Sequence, residues 1–448
     1  MKKSASIVIL LVFSVFLVPL LQIGTVKAQS NTIYIRADGT IEGTDLIQRE
    51  GNVYTFLGNI SVEGTKVDGI IVERDNIVID GAGYTLQEIG VSESIESRGF
   101  NGINLTSRSG VTLKNLRIRG FANSIHFISS SNNTILDNDI SDAEWGIILQ
   151  DSNNNSIIQN NLTRIGENTV TILPNGTIIH GITQSIYLAT SSNNIIIKNY
   201  IYTAEIGFLF GLSHNNSIIQ NSIAGNGEGT GIMFIDKVFN YTASNNPFNN
   251  PKEDPTEDLI QGNSIGNIIS GNIINGKEVG INSRYSSNCI ISGNNIINCK
   301  TDGIFLQENQ KMSIIGNNFE NNTVAIFVGQ GASNNTIYSN NFINNQQDID
   351  DIRSVTPFLS NPKNTWDNDS KGNYWSNYNG TDSNGDGIGD TPYIINEENQ
   401  DNYPLMEQIV IPEFPSWTPF LIVGLIATFM LSIIYRRRCI REKENEKM

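Results

Sequence analysis

The sequence predicts an all-β protein that folds as a parallel β-helix, and two repeating patterns carry this prediction. A repeat of about 22 residues suits one coil of three short strands, and it is too short for a helix pair or a propeller blade. Asparagine tolerates the left-handed backbone of a tight bend, and stacked amides can hydrogen-bond from coil to coil. We therefore expect one stacked row of side chains at a corner of the helix. The row comprises eight asparagines whose sequence numbers differ by 22 or 23, apart from two wider steps of 39 and 51: Asn138, Asn160, Asn199, Asn221, Asn272, Asn294, Asn317 and Asn340.

The second pattern is a glycine followed by a large apolar residue, which opens another strand in each coil. An antiparallel sandwich would instead show hairpin signals at a spacing of roughly 8–12 residues and no long-range register. Roughly ten coils between residues 70 and 345 would form a rod on the order of 50 Å long. The pairs are Gly146-Ile147, Gly207-Phe208, Gly231-Ile232, Gly280-Ile281 and Gly303-Ile304, with Ala325-Ile326 in the last coil.

Both ends of the chain indicate export and anchoring. A charged start, an apolar run over 7–21 and a small-residue site at Ala28 predict a secretory signal peptide. Residues 417–435 are apolar and long enough to span a bilayer, and the arginines that follow predict a cytoplasmic tail. The alternative for this segment is a buried core helix. We expect a single-pass protein whose body lies at the cell surface.

These signals divide the chain into seven parts. They are a signal peptide (1–28), an N-terminal cap (29–68), β-helix repeats (69–346), a C-terminal cap with an Asp-rich loop (347–408), a linker (409–416), a transmembrane helix (417–435) and a basic tail (436–448). Two insertions, near 166–180 and 236–262, interrupt the repeats. Because loops on a rigid scaffold often bind ligands, activity is one interpretation of the insertions, and tolerated solenoid turns are the other. The second insertion carries Glu253, Asp254, Glu257 and Asp258, which could serve acid/base chemistry on a polysaccharide if they pair in space.

The net charge excludes nucleic acid as a partner. The chain carries a formal charge of −16; three lysines leave with the signal peptide, and six bases and three acids lie in the tail, so the exposed body carries −22. Solubility of a repetitive β-rod is the favoured explanation of this charge, and an acid-specific function is the alternative. Asn-x-Ser/Thr sequons, which an Asn-rich repeat also generates by composition, offer glycosylation sites at Asn59, Asn104, Asn154, Asn175, Asn240 and Asn379, among others.

Several segments of the body have a recognisable pattern: Gly69–Leu86, the Ser-x-Asn-Asn-x-Ile frames, Gly372–Tyr378, Asp382–Tyr393 and Asp401–Leu405. Together they resemble archaeal surface proteins of the NosD-like family. The resemblance implies a right-handed parallel β-helix, grouped with carbohydrate-binding and sugar-hydrolase helices. It also implies periplasmic copper binding as an accessory to nitrous oxide reductase maturation. Pro412–Pro415 is similar to the PEF-CTERM sorting signal, from which the longer charged tail after Arg438 departs.

The sequence itself gives no copper motif. Copper sites use His, Cys or Met clustered in space, and no local pattern joins the few that the body offers. Stacked coils could still bring distant ones together. They are His126, His180, His214, Cys289, Cys299, Met233, Met312 and Met406.

The strongest metal signal is a calcium-type loop in the C-terminal cap. Oxygen donors at loop positions 1, 3, 5 and 9, the Ile388 carbonyl at position 7 and a glycine at position 6 match the pattern of a calcium loop. The donors are Asp382, Asn384, Asp386 and Asp390. Position 12 is Tyr393 instead of glutamate, so Asp401 or Glu397 would have to complete the ligand shell. The alternative is an Asp-Gly turn that binds nothing.

Tyrosines and tryptophans over 372–405 predict a cap that closes the open end of the core, or alternatively a surface that stacks on sugar rings.

Three function classes remain. The protein is a membrane-anchored surface rod that binds glycans or surface proteins or builds the cell envelope, a polysaccharide hydrolase or lyase, or a copper accessory as the family resemblance implies. No catalytic signature is visible, which favours a binding or structural module over an enzyme.

Overall fold

A computed structural model describes residues 28–29, 32–63, 67–89, 101–166, 170–172, 178–180, 183–203, 205–239, 259–351 and 362–411. All regular elements within these ranges are β-strands, and they form a parallel β-helix of about eleven turns. The predicted fold class is therefore confirmed. No helix in this part of the chain is long and apolar enough to cross a bilayer, and the predicted signal-peptide core and transmembrane helix lie outside it.

The strands are short, mostly three to six residues. In chain order they are β1 (Ala28–Gln29), β2 (Ile33–Ile35), β3 (Ile41–Glu42), β4 (Ile47–Glu50), β5 (Val53–Phe56), β6 (Ile60–Glu63), β7 (Ile70–Val72), β8 (Val78–Asp80), β9 (Thr85–Ile89), β10 (Asn101–Thr106), β11 (Thr112–Lys114), β12 (Arg117–Arg119), β13 (Asn123–Ile128), β14 (Thr134–Leu136), β15 (Asp139–Ser141), β16 (Trp145–Gln150), β17 (Ser156–Ile158), β18 (Asn161–Ile165), β19 (Val170–Ile172), β20 (Ile178–His180), β21 (Gln184–Ala189), β22 (Ile195–Ile197), β23 (Tyr200–Thr203), β24 (Ile206–Gly211), β25 (Ser217–Ile219), β26 (Ser222–Ala224), β27 (Thr230–Ile235), β28 (Lys237–Phe239), β29 (Leu259–Gln261), β30 (Ser264–Ile265), β31 (Ile268–Ser270), β32 (Ile273–Asn275), β33 (Val279–Arg284), β34 (Ser286–Ser287), β35 (Ile290–Ser292), β36 (Asn295–Ile297), β37 (Asp302–Gln307), β38 (Ser313–Ile315), β39 (Asn318–Glu320), β40 (Val324–Val328), β41 (Thr336–Tyr338), β42 (Asn341–Ile343), β43 (Gln347–Asp351), β44 (Tyr374–Trp375), β45 (Tyr393–Ile394) and β46 (Gln400–Asp401).

The strands of successive coils stack into three long sheets. Sheet 1 has the order β1-β6-β9-β12-β15-β18-β23-β26-β32-β36-β39-β42-β44. Sheet 2 has the order β3-β2-β7-β10-β13-β16-β21-β24-β27-β33-β37-β40-β43, and sheet 3 the order β4-β5-β8-β11-β14-β17-β22-β25-β31-β35-β38-β41. Pairing within these sheets is parallel except between β2 and β3 and between β4 and β5 at the N-terminal end. Each coil therefore contributes one strand to each face of a three-sided rod.

One continuous hydrophobic core runs along the inside of the rod. Ile, Leu and Phe side chains from the three sheets point inward and are buried coil after coil, for example Ile118, Ile140 and Phe208. Full burial of each such side chain contributes about 1.5–3 kcal/mol. Gly146 lies where a side chain would not fit, because an added Cβ would lie 2.3 Å from the Ser185 carbonyl oxygen of the next coil. This contact explains the glycine that opens the sheet 2 strands.

The eight predicted asparagines form the expected single row, which is therefore confirmed. Each Oδ1 accepts the backbone N–H of its counterpart in the preceding coil, at 2.9–3.1 Å from Asn138 through Asn340. The row continues into Asn373, whose Oδ1 accepts from the Asn340 amide at 3.0 Å. It ends on Asp401, whose Oδ2 accepts the Asn373 N–H at 2.7 Å. A carboxylate thus terminates the amide ladder inside the C-terminal cap.

A second amide ladder stacks at another corner, five residues earlier in each coil. It runs from Asn133 through Asn155, Asn194 and Asn216 to Asn267, and resumes at Asn335. Cys289 and Met312 occupy the two positions in between, and both are buried. The interruption explains why the repeat of this corner is less regular in the sequence.

The two insertions leave the solenoid on opposite sides of sheet 2. The first contains the antiparallel pair β19 and β20, between a sheet 1 strand and a sheet 2 strand. The second contains the antiparallel pair β28 and β29, after sheet 2 strand β27. The acids at 253–258 lie outside the described residues. On the outer face of sheet 2 between the two insertions, Ile148, Tyr187 and Leu209 form an apolar cluster with exposures of 5–8 %.

Candidate functional site

The candidate site is a groove of about 660 Å³ on the outer face of sheet 1. Its floor is made by strands β26, β32, β36, β39 and β42 of successive coils, and one wall is the chain segment 408–411. Cavities of this size hold small organic ligands or a few sugar units. The lining residues are Gln220, Asn221, Ser222, Gly271, Asn272, Ile273, Gly293, Asn295, Asn318, Glu320, Asn341, Ile343, Gln408, Ile409 and Ile411.

The floor carries a column of outward-pointing amides. Asn295, Asn318 and Asn341 are in register on adjacent strands, so the spacing of parallel strands, about 4.8 Å, separates them. Asn318 Nδ2 donates to Asn295 Oδ1 at 2.9 Å. It also lies 3.3 Å from a carboxylate oxygen of Glu320. This pairing fixes the orientation of the amides and presents a row of neutral donors and acceptors to the groove.

The column continues into exposed apolar and aromatic side chains. Ile273 follows Asn295 in register and is 47 % exposed. Two coils further from it lies Tyr200, which is 45 % exposed, and Tyr202 beside it is 39 % exposed. Exposed tyrosine rings provide apolar area together with a polar hydroxyl, a combination common at binding sites.

Segment 408–411, which we call the strap, is held across the groove by Asn341. The Ile409 N–H donates to Asn341 Oδ1 at 2.8 Å, and Asn341 Nδ2 donates to the Ile409 carbonyl at 2.9 Å. Leu405 forms a parallel bridge with Tyr374, which belongs to the coil after Asn341. The chain therefore runs backwards from the C-terminal cap towards earlier coils as it passes over sheet 1.

The chemistry of this groove suits binding better than catalysis. Glu320 is the single titratable residue among its lining residues. Hydrolysis of a glycosidic bond generally requires two carboxyl groups facing each other across the bond. Amides, a hydroxyl and exposed apolar side chains can instead hold a neutral polar chain by hydrogen bonds and ring stacking.

The predicted calcium loop folds as a tight turn in which carboxylates accept backbone hydrogen bonds. Asp382 accepts the N–H groups of Gly385 at 2.8 Å and Gly387 at 2.8 Å. Asp386 accepts the Ile388 N–H at 2.9 Å and an amide hydrogen of Asn384 at 2.9 Å. Gly387 has a φ of 84°, as the sharp turn at that position requires. Calcium binding by this loop stays a prediction.

Two other acids of the cap have different roles. Asp390 accepts from Ser383 Oγ at 2.7 Å and from the Ser383 N–H at 3.0 Å, and these bonds lower the pKa of the carboxyl. Asp401 does not complete the loop as the sequence suggested, because its carboxylate is fully buried at the end of the amide ladder. It accepts the Trp375 indole N–H at 2.9 Å, and burial raises its pKa.

The aromatic cap closes the core, as predicted. Trp375 of β44, the last strand of sheet 1, stacks on Phe342 of the neighbouring strand β42 with ring centroids 4.3 Å apart. Tyr393 stacks on the other face of Trp375, also at 4.3 Å. The rings therefore extend the hydrophobic core beyond the last coil and cover it.

Within the described ranges, no group of three or more His, Cys, Asp or Glu side chains could hold a metal ion. Cys289 and Cys299 are buried free thiols, and burial raises the pKa of Cys299 to about 12. A thiol is a copper ligand in its deprotonated form, so this environment disfavours ligation. His214 Nδ1 accepts the backbone N–H of Ile265 at 3.1 Å. Copper binding stays an expectation from the family resemblance, and the side chain of His180 lies outside the described residues.

His126 belongs to a polar network on the outer face of sheet 2. Its Nδ1 lies 3.2 Å from Asn101 Oδ1, which also accepts from Asn123 Nδ2 at 3.0 Å. Asn101 Nδ2 donates in turn to Asp68 at 2.8 Å. Burial lowers the pKa of His126 to about 4, so the imidazole is neutral at pH 7.

Further along sheet 2, the acids Asp302 and Asp350 lie near the stacked rings of Phe305 and Phe327. Burial, together with the charges of Asp350 and Glu278, raises the pKa of Asp302 to about 6. Phe305 and Phe327 stack at 5.0 Å beside them, and Arg284 lies over the Phe305 ring. The ring faces cover each other, so this pair offers little area for sugar stacking.

Comparison with known proteins assigns the family. The family model described as periplasmic copper-binding protein (NosD) matches residues 24–258 and 253–380. The chain belongs to the NosD family. No curated protein matches this NosD-family chain.

Solved structures with a similar architecture are parallel β-helix proteins. The periplasmic alginate epimerase AlgG is 13 % identical, with a TM-score of 0.43, over 71 % of this chain and 83 % of that chain. The Dettilon tailspike protein is 15 % identical, with a TM-score of 0.49, over 72 % of this chain and 60 % of that chain. An exopolygalacturonase from Thermotoga maritima is 10 % identical, with a TM-score of 0.42, over 65 % of this chain and 77 % of that chain.

The groove was not predicted from the sequence, although the sequence contains a signal for it. Asn295, Asn318 and Asn341 each directly follow an asparagine of the ladder. In a strand, neighbouring residues point to opposite faces. A doubled asparagine at this position therefore indicates one amide inside the corner and a second one on the outer face of sheet 1.

Proposed function

We propose that this NosD-family protein is an extracytoplasmic, membrane-anchored binding module that holds a polysaccharide chain along the sheet 1 groove. The observation that carries the proposal is the in-register row on sheet 1 that runs from Asn318 through Ile273 and Ser222 to Tyr200, which combines oriented amides and a hydroxyl with exposed apolar and aromatic area. Pyranose rings match such a surface because their hydroxyls hydrogen-bond and their C–H faces pack on aromatic rings. The exported location rests on the predicted signal peptide and on the periplasmic description of the family.

The proposed ligand is an extended, uncharged glycan. Within the described part of the groove the lining is mostly neutral, and Glu320 is its one charged side chain. A strongly acidic glycan would meet an unfavourable charge there and in the exposed body, which carries −22. The coil repeat of about 4.8 Å is close to the length of one sugar unit, so neighbouring amides can contact neighbouring sugars.

The test is binding of neutral oligosaccharides to the full chain in detergent, measured by calorimetry or on a glycan array. Loss of one stacked ring is worth about 1 kcal/mol, so we expect Tyr200→Ala to weaken binding about fivefold to tenfold. Asn318→Ala should weaken it by a similar factor through lost hydrogen bonds. Tyr84→Ala is the matched control, because Tyr84 is 38 % exposed and lies at the turn before β9. Equal effects of Tyr200→Ala and Tyr84→Ala would contradict the proposal.

A polysaccharide-active enzyme is the second candidate, and the environment of Asp302 favours it. A carboxyl with a pKa of about 6 can act as a general acid near neutral pH. Asp302 aligns with Gln347 two coils further, and Asp350 lies three residues beyond Gln347 on the same strand, from where its charge contributes to the raised pKa of Asp302. Release of reducing ends from a neutral polysaccharide, abolished by Asp302→Asn and by Asp350→Asn, would support this function. Absence of hydrolysis, or hydrolysis unchanged in Asp302→Asn, would exclude it.

We also propose a structural calcium ion at the cap loop. Asp382 and Asp386 supply oxygen donors on a turn that is hydrogen-bonded through Gly389 N–H to Pro404 at 2.8 Å and through Met406 N–H to Gly387 at 3.0 Å. A hard cation prefers such carboxylate and carbonyl oxygens. Because 404–406 lead directly into the strap, an ion at the loop would stabilise the wall of the groove.

A further inference from the structure

The outer face of sheet 3 carries two columns of uncharged side chains along eight consecutive strands, from β14 to β41. Each of these strands has three residues, of which the middle one is buried in the core and the other two point outward. The parallel register stacks the outward residues from strand to strand. Column A comprises Thr134, Ser156, Ile195, Ser217, Ile268, Ile290, Ser313 and Thr336, and column B comprises Leu136, Ile158, Ile197, Ile219, Ser270, Ser292, Ile315 and Tyr338.

The lack of charge in these two columns contrasts with the rest of the chain. Charged residues make up 17 % of the sequence, and the exposed body carries −22. Two such bodies repel each other wherever acids face acids. Columns A and B form a face on which two copies can meet without this repulsion. Ile268 and Ile290 are 36 % and 39 % exposed on this face, so the contact also removes apolar area from water.

Column A reads nearly the same in both directions. We consider a two-fold axis that lies in the plane of the contact, across the strand stack, between Ser217 and Ile268. This axis makes the two rods antiparallel and places each residue of column A opposite a column A residue of the partner. Four of the five opposing pairs consist of identical residue types, so hydroxyls meet hydroxyls and isoleucine meets isoleucine. From the axis outward, the pairs are Ser217 with Ile268, Ile195 with Ile290, Ser156 with Ser313, Thr134 with Thr336 and, through one further strand at each end, Thr112 with Thr365.

Column B fits the same axis by complementary size. Ile219 and Ile197, which lie nearest the axis, face the partner's Ser270 and the partner's Ser292. A large side chain therefore meets a small one, as interdigitating sheet faces require. At the outer positions of the column the opposing residues are apolar or aromatic. These outer pairs are Ile158 with Ile315 and Leu136 with Tyr338.

The turns that border the face also avoid like-charge contacts in this arrangement. The residue two positions before each column A residue and the residue directly after each column B residue have positive φ, so they form two regular turn columns. Three of these turn residues are charged, and each lies opposite a neutral residue of the partner. They are Asp137, Lys198 and Lys311, which face the partner's Ser339, the partner's Gly293 and the partner's Asn154.

The face is large enough for a specific interface. Eight strands at about 4.8 Å and six residues per strand with its turns at about 3.3 Å give a surface of roughly 38 Å by 17 Å. This corresponds to about 600 Å² for each copy and about 1,200 Å² in total, whereas a specific interface needs roughly 1,000 Å².

We propose that two copies of the chain associate through the outer faces of sheet 3 in an antiparallel, two-fold symmetric dimer. The interface is isologous, so a residue of one copy and its counterpart in the partner make the same contact twice. The glycan groove lies on sheet 1, a different face of the rod. The dimer therefore leaves both grooves open, and this inference does not depend on the proposed function.

The first test is sedimentation equilibrium of the full chain in detergent, with circular dichroism melting curves to confirm that each variant is folded. We expect the wild-type chain to be a dimer. Ile195→Glu should weaken the dimer roughly hundredfold or more, because two carboxylates lose water without a partner. Ile195→Glu with Ile290→Lys in one chain should restore it to within about tenfold of the wild type, because each new carboxylate then faces a new ammonium of the partner. The matched control is Ile394→Glu, which changes an isoleucine that is 62 % exposed in the C-terminal cap and should leave the dimer intact.

A monomeric wild-type chain would overturn the proposal. So would a folded double variant that associates as weakly as Ile195→Glu, because the antiparallel register requires positions 195 and 290 to face each other. An equal loss of association in Ile394→Glu would show that sheet 3 is not the interface.

The second test is chemical cross-linking in the chain carrying Cys439→Ser, which also gives the background from the buried thiols of Cys289 and Cys299. The reagent is a bifunctional maleimide that spans about 10 Å, the usual separation of packed sheets. Thr134→Cys with Thr336→Cys should give cross-linked dimers, because these positions face each other across the interface. Within one chain they lie seven coils apart, roughly 34 Å, so the link has to join two chains. Thr134→Cys alone should give none; efficient cross-linking of this single variant would indicate parallel packing and overturn the proposal.

Discussion

The amide ladder makes a sharp prediction about stability, and Asn294 is the best position to test it. This side chain is fully buried in the middle of the row. Its Oδ1 accepts both the backbone N–H and the side-chain N–H of Asn272, each at 2.9 Å. Its Nδ2 donates to the Ile269 carbonyl at 2.9 Å and to Asn317 Oδ1 at 2.9 Å. One side chain thus satisfies groups in both neighbouring coils.

Asn294→Ala leaves two buried N–H donors of Asn272 without an acceptor. Each buried unsatisfied donor costs about 1–3 kcal/mol, so we expect a loss of roughly 2–6 kcal/mol in the free energy of unfolding. Position 294 has no positive φ, so alanine adds no backbone strain there. Asn161→Ala is the control, because its exposed amide makes one bond, to Asp139 at 3.0 Å, and should change stability by less than about 0.5 kcal/mol.

The assay is urea unfolding of the full chain in detergent, followed by circular dichroism and by intrinsic tryptophan fluorescence. Interactions in a solenoid are mainly between neighbouring coils, so the loss should appear as a lower midpoint or as a separate early transition of the coils around Asn294. A change below about 1 kcal/mol in Asn294→Ala, or an equal change in both variants, would refute the assignment of stability to the ladder.

Three further predictions concern titration and metal binding. The pKa of His126 is about 4 in the folded protein against an ordinary value of 6.5. Between these pH values the unfolded chain binds more protons than the folded chain, so the free energy of unfolding should fall by up to about 3 kcal/mol as the pH drops from 6.5 to 4. His126→Phe should remove this dependence in melting curves. Lys277 is buried, and its pKa is about 8 against an ordinary value of 10.5. The free energy of unfolding should therefore rise by up to about 3 kcal/mol from pH 8 to 10.5, and Lys277→Met should flatten this pH profile. A flat profile in the wild-type protein would contradict the burial of a charged ammonium. Calcium should raise the melting temperature of the chain, copper should give little specific effect, and Asp382→Ala with Asp386→Ala should abolish the calcium shift; a shift that persists in this double variant would exclude the loop as the site.

The fold was predictable because its determinants repeat. Each ladder asparagine makes the same bonds in every coil, so a constant spacing recurs in the sequence at positions such as Asn138 and Asn160. The glycine before each sheet 2 strand recurs for an equally local reason, since a Cβ at Gly146 would collide with the next coil. The continuation of the ladder into Asn373 and Asp401 was not predictable, because intervals of 33 and 28 residues depart from the repeat.

The site depended on information that spacing does not contain. One wall of the groove is the strap, residues 408–411, which belongs to no repeat. Ile409 of the strap lies 68 residues after Asn341 in the sequence. Asp401 is an aspartate, like Asp382 and Asp386 of the cap loop, but its burial at the end of the ladder separates it from them. Asp302 and Asp350 approach each other because two coils stack, not because their sequence positions are related.

The sequence alone determined the coil length and the row of corner amides, because both depend on residues that interact with their counterparts one coil away. It also indicated the aromatic cap and the family through local residue patterns. Only the tertiary structure decided which outward-facing residues share a surface, where the chain crosses it and which titratable groups are desolvated. These properties depend on how the coils stack and on contacts between distant segments. The spacing of a repeat predicts which residues stack in register, and it does not predict which segments cover the outer face of the rod.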